Sequence, residues 1–140
     1  MTSIKCYFEV IGHGFDPAVL TEALGIEPSE TWRTGDTTRR SGRPYKHDGW
    51  SLVSDEVASL DLQEVALPIL RKMLPVAASL VECCGRLKLE AFLSCTVYVE
   101  DNQMAAISLD RDAVGMLSEL GASLDIDILD LGRSADDSSA

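Results

Sequence analysis

The stretch Leu87-Lys88-Leu89-Glu90-Ala91-Phe92-Leu93-Ser94-Cys95-Thr96-Val97-Tyr98-Val99-Glu100 decides the fold class. Leu87, Leu89, Ala91, Leu93, Cys95, Val97 and Val99 alternate with residues that are charged, hydroxylic or aromatic. Successive side chains of a β-strand point to opposite faces, so this spacing predicts one long strand, or one strand carrying a bulge. One face is apolar and the other is mixed, as in a sheet that packs on a core from one side only.

The same alternation recurs near the N-terminus, where Ile4, Cys6, Phe8 and Val10 share one face and Lys5, Tyr7 and Glu9 the other. It returns in Leu124–Ile128. Between the strands the period changes. Asp16 and Pro17 form a helix start and Gly25 a stop, with Val19, Leu20, Ala23 and Leu24 as the apolar stripe. Residues 61–84 repeat apolar side chains from Leu62 to Val81 at helical spacing, and Gly85 reads as the end. Pro68 and Pro75 lie inside this pattern and predict a kink or break, since each removes a donor and clashes one turn back. Asp110 caps a third helix that carries Val114, Leu117 and Leu120 to Gly121. Thr31–Thr34, Trp50–Val53 and Ala105–Leu109 read as short strands. The expected fold is α+β, an antiparallel or mixed sheet of about five strands with three helical segments packed mainly on one face. It forms a single domain over residues 1–131, followed by a flexible tail over 132–140.

Composition narrows the function classes. The 140 residues are 46% hydrophobic, enough for one core, and carry 23 acidic against 12 basic residues, a net charge of -11. Such a chain repels nucleic acid and suits a basic partner. No apolar run is long enough to span a membrane, and no basic start followed by a long apolar run marks a signal peptide. Cys6, Cys83, Cys84 and Cys95 include no CxxC pair, so they read as reduced thiols in a cytoplasmic setting rather than as a zinc site.

A second group of residues carries a family likeness. Tyr7-Phe8, Gly12, Asp16-Pro17 and Leu24-Gly25-Ile26 lead to Pro28 and Trp32-Arg33-Thr34-Gly35-Asp36. Gly49-Trp50-Ser51-Leu52 and Leu120-Gly121-Ala122-Ser123-Leu124-Asp125-Ile126-Asp127 complete it. The chain resembles the bacterial family called domain of unknown function 4279 over roughly residues 4–128, the Trp-Arg-x-Gly-Asp and Gly-Trp-Ser pair being its most specific part. The resemblance implies a fold and a bacterial origin, and no reaction. Immunity proteins of toxin systems are small acidic α+β proteins of comparable kind, an analogy at the level of fold.

The candidate site residues fall into three groups. Arg33, Arg39, Arg40, Arg43 and Lys46 crowd into one segment. With Asp36 they give residues 33–46 a charge of +4, so the rest of the chain carries -15. Arginine forks bind phosphate or carboxylate, and Trp32, Tyr45 and Trp50 are near enough in sequence to stack on a flat ligand, although large aromatics flanking a hairpin usually pack under it and Trp32 and Trp50 read first as core. The competing reading folds this loop back onto the protein's own acidic surface. Tyr7, Phe92 and Tyr98 form the second group, rings on the sheet face the helices leave uncovered. Asp125 and Asp127 form the third. They share a strand face and are weak metal candidates, or ion-pair partners for the central arginines.

No nucleophile elbow, P-loop, HExxH or dinucleotide fingerprint is present, and neither His13 nor His47 has a nucleophile placed beside it in sequence. The expected function is therefore non-enzymatic and without cofactor: binding of another protein, such as a toxin held by an immunity-type inhibitor. The alternative is binding of an anionic small molecule through the arginine-rich loop. Self-association into a homodimer stays open.

Overall fold

β1 (Ser3–Gly12) is the hub of the sheet. In the computed structural model, which describes residues 1–38 and 41–133, Ile4, Cys6, Phe8 and Val10 of this strand are fully buried while Lys5, Tyr7 and Glu9 are half-buried on the opposite face. β5 (Glu90–Glu100) runs antiparallel along one side of β1, with Cys6 opposite Cys95 and Tyr7 opposite Ser94. β3 (Asp48–Val53) runs antiparallel along the other side and pairs in turn with the short β2 (Glu30–Trp32). β6 (Ala122–Gly132) lies parallel to β5 and forms the far edge. The order is β2-β3-β1-β5-β6, and a two-residue β4 (Val57–Ala58) pairs with the start of β1. The sheet is therefore mixed, because α4 (Arg111–Leu120) is the crossover that a parallel β5–β6 pair requires.

The helices form one layer against the apolar face. α1 (Pro17–Leu24) starts at Asp16, whose side chain accepts from the Ala18 N–H, and stops at Gly25 with φ 68°. α4 uses the same devices at Asp110 and Gly121. The long middle segment breaks where Pro75 withholds its N–H: α2 (Leu62–Met73) tightens into a 3₁₀ turn over Leu74–Val76 and restarts as α3 (Ala77–Leu87). Pro68 stays inside α2 on its exposed side. Counting the broken middle segment as one, the three helical segments and the one-sided layer match the expected architecture.

Several local expectations are corrected. The middle segment does not end at Gly85 but continues to Leu87, and Lys88 takes the left-handed conformation with φ 57°. Leu87 and Leu89 both pack on the core, so the chain must turn between them and β5 begins later than alternation alone implied. Ala105–Leu109 forms only a bridge, in which Leu62 donates to the Ala106 carbonyl and Ala106 donates to that of Leu60. Val19, Val81 and Val114 belong to apolar stripes yet face solvent. No helix among the described residues is long and apolar enough to cross a membrane.

Gly115 in the middle of α4 has open space where a Cβ would stand. Gly115→Ala is expected to stabilise the protein by about 0.5–1 kcal/mol through backbone entropy alone, read as a higher urea midpoint at unchanged m-value.

Candidate functional site

The signature around Trp32 builds a clasp at one edge of the sheet. Register places Trp32 opposite Gly49, and Gly49 opposite Ile11, so the indole lies on the face away from the helices. A Cβ on Gly49 would fall inside the indole ring, so glycine is what lets the ring lie flat on the strand. Tyr45 stacks on the ring with centroids 4.8 Å apart and planes inclined by 18°, and the indole N–H points at His47 Nδ1, 3.4 Å away. Trp32 is thereby buried beneath its own loop.

Asp48 locks that loop to the body. Its Oδ1 accepts from the Thr34 N–H at 2.8 Å, the Thr34 hydroxyl at 3.2 Å and Arg33 Nε at 3.2 Å. Its Oδ2 accepts from the Phe15 N–H at 3.1 Å. The carboxylate is 3% exposed and is held well below the usual range, at about 2. The Thr34 N–H is the main cause; Arg33 and the Thr34 hydroxyl add to it, and burial opposes them. Asp36 turns the chain by accepting from the Arg33 N–H at 2.8 Å. Beyond it the loop is a narrow hairpin, with Gly35 donating to the Tyr45 carbonyl, Tyr45 to that of Asp36 and Thr38 to that of Arg43.

The central loop thus splits as a candidate site. Arg33 is engaged by Asp48, and Asp36 serves the turn. Arg43 and Lys46 are exposed on the hairpin; Arg39 and Arg40 lie outside the described residues. Trp50 does not join Trp32 and Tyr45. It faces the helices, fully buried, and its indole N–H donates to the Thr21 hydroxyl at 3.1 Å. Adjacent positions on a strand point oppositely, so Gly49 and Trp50 send their neighbours to different faces.

The other sheet face collects Tyr7, Phe92 and Tyr98, all half-buried. Lys5 Nζ lies 5.6 Å from the Tyr7 ring centre, within cation–π reach. Register sets Ser94 beside Asp125, Thr96 beside Asp127 and Tyr98 beside Leu129, so this face continues onto β6. Asp125 and Asp127 stand at the edge opposite the arginine hairpin, four strand spacings or roughly 19 Å away. That separation keeps both from Arg33, which sits at the β2–β3 end of the sheet, and among the described residues neither has an ion-pair partner. Among the described residues no three His, Cys, Asp or Glu side chains converge on a common point either.

Two features were missed from sequence. Asp48 follows His47 with no nucleophile placed beside the pair and so carries no catalytic motif; its place just before Gly49-Trp50 is the one signal of its structural role. The second is the exposure of β6. Leu124, Ile128, Leu129 and Leu131 are 42–54% exposed, and among the described residues nothing pairs with the outer edge of the strand. Between β6 and α4 runs an apolar groove of about 480 Å³, lined by Leu62, Ile107, Leu109, Val114, Leu124 and Ile126 among others. The cysteines are all free, three of them buried. Burial, with a smaller contribution from Cys83, pushes the Cys84 thiol up to about 11, and a contact with Cys6 raises that of Cys95, so both stay protonated at neutral pH.

No curated protein and no solved structure was found to match the chain significantly. A family model does match, over residues 2–131. The clasp residues of the Trp-Arg-x-Gly-Asp and Gly-Trp-Ser signature lie within that span, and the chain belongs to the family described as domain of unknown function (DUF4279).

Proposed function

We propose that this chain is a non-enzymatic protein-interaction domain, an immunity-type inhibitor that engages a basic toxin through the sheet face its helices leave uncovered. The observation that carries the reading is the continuity of that face. Tyr98 on β5 stands beside Leu129 on β6, Phe92 stands beside Ser123 at the other end of the same face, and Asp125 and Asp127 lie on that face between them. Rings and an aliphatic side chain ringed by carboxylates make an apolar anchor with a charged rim, the arrangement that speeds and selects association with a basic protein. The anionic-ligand alternative has less support, because Arg33 is committed to Asp48, Trp32 is covered by Tyr45, and Trp50 lies on the other face.

Affinity capture from the native host, followed by titration with purified partner, tests the reading. Phe92→Ser and Leu129→Lys are each expected to weaken binding by tenfold or more while leaving the urea midpoint within a few tenths molar of the parent, as expected for central interface positions. Capture that returns no stoichiometric partner, or a partner bound equally by both variants, overturns it.

A further inference from the structure

We propose that β6 is a pairing edge, and that an extended segment of a protein partner, with lysine or arginine alternating with apolar residues, adds to the sheet as its next strand. The inference rests on the protein-interaction reading and specifies how contact is made.

The strand is long, spanning Ala122–Gly132, and one side of it is already bonded to β5. Alternate backbone N–H and C=O groups of an edge strand point outward, and an incoming strand satisfies them without rearrangement. The two faces of β6 differ. Leu124, Ile126 and Ile128 lie on the helix side, where the groove beside α4 leaves room for the apolar side chains of a neighbour. Ser123, Asp125, Asp127 and Leu129 lie on the other side. Along residues 123–128 an added strand thus meets apolar positions on one face and Asp125 and Asp127 on the other, and the complementary pattern alternates an apolar residue with a cation.

A second copy of this chain is rejected by the same charges. Pairing the full strand with itself centres a two-fold axis on Asp127 and sets that carboxylate against its own copy. Moving the axis to Ile126 sets Asp125 opposite Asp127 of the second copy, twice. Moving it to Ile128 places Asp130 opposite Ile126. Each register costs like-charge repulsion or a carboxylate buried against an aliphatic side chain. With -11 over the whole molecule, repulsion at longer range adds to this. Aspartates on this edge therefore refuse a copy of the chain and favour a basic strand, which is selection by repulsion as well as by attraction.

The test uses the full chain, isotopically labelled, and a capped peptide of alternating lysine and valine as long as β6. A glutamate–valine peptide and a shuffled lysine–valine peptide of the same composition serve as comparisons. The alternating basic peptide is expected to shift backbone amide signals concentrated in residues 122–132 and to slow hydrogen exchange there. Asp125→Asn with Asp127→Asn is expected to weaken it about three- to tenfold, as for two opposite-charge cross-strand pairs. Leu124→Lys is expected to weaken it further by charging the groove. Equal binding of the shuffled or acidic peptide, no binding, or shifts confined to the arginine hairpin overturns the proposal. So does a dimer of the free protein that these substitutions dissociate, since a second copy would then be the occupant. If edge pairing fails while Phe92→Ser still abolishes binding of a captured partner, the mode falls and the interaction reading stands. If the peptide pairs as expected and no partner is captured, the converse holds.

Discussion

Asp48→Asn will destabilise the protein by about 2–4 kcal/mol at neutral pH, read from urea unfolding, although it changes one atom of one side chain. Both carboxylate oxygens of Asp48 receive donors: Phe15 N–H on one, and Thr34 N–H, Thr34 hydroxyl and Arg33 Nε on the other. An amide presents a donor where one of these oxygens stood, so at least one buried N–H loses its acceptor and faces another donor. The charge partner matters less. Arg33 has a side chain 55% exposed, and Arg33→Ala is expected to cost no more than about 1 kcal/mol because water screens such a pair. The pH dependence has a definite sign. Asp48 is lowered from 3.8 to about 2 on folding, so its contribution is complete above 3.8 and is lost as pH falls from there toward 2. That contribution is on the order of 1–2 kcal/mol, allowing for solvent close by. The gap between parent and variant should therefore be constant above pH 5 and narrow under acid conditions. A gap independent of pH down to 2.5 would show that the carboxylate is not what binds the loop.

Gly49→Val will cost about 3 kcal/mol or more and release the hairpin from the sheet. The indole of Trp32 occupies the space a side chain at position 49 needs, and it has no free side to retreat to, since Tyr45 stacks on the other ring face. Either the indole leaves or the strand moves. Gly49→Ala should show the same direction with a smaller cost, about 1–3 kcal/mol. The near-ultraviolet circular dichroism of the Trp32–Tyr45 pair should fall with both. The contrast is Gly115→Ala, where the added methyl meets nothing and the sign reverses. An unchanged aromatic signal in Gly49→Val would contradict the close packing of ring on backbone. Because Asp48 and Gly49 are adjacent and hold the same loop, their effects should be less than additive in the double variant.

Asp48 and Gly49 also show how far local sequence fixes this loop. The Trp-Arg-x-Gly-Asp and Gly-Trp-Ser pair was visible as a signature, its tryptophans readable as core and its arginine as a ligand group or a partner for the protein's own carboxylates. Their geometry serves the fold instead: Gly49 makes room for Trp32, Asp36 turns the chain, and Asp48 gathers the donors. Nothing local to Asp48 reveals this, because Phe15 reaches it only after β1 and β3 have paired, and Arg33 and Thr34 only after β2 and β3 have. The apolar stripes show the same limit. Periodicity put Val19, Val81 and Val114 with their neighbours on helix faces, but burial depends on how closely another element packs opposite, and these three stay 41–53% exposed. A break at one of the two prolines was legible because a missing N–H is a local effect, but that Pro75 interrupts the segment while Pro68 stays inside α2 was not.

Sequence alone determined which side chains of β1, β5 and β6 share a face, where α1 and α4 begin and end, and that one side of the sheet would carry the core. Those properties follow from backbone geometry and capping over a few residues. Tertiary structure alone decided that β6 is an edge with no outer partner among the described residues, that Asp125 and Asp127 stand across the sheet from Arg33, and that Arg33 meets Asp48. Each depends on the strand order β2-β3-β1-β5-β6, which brings together residues far apart in the chain through hydrophobic packing that no short window encodes.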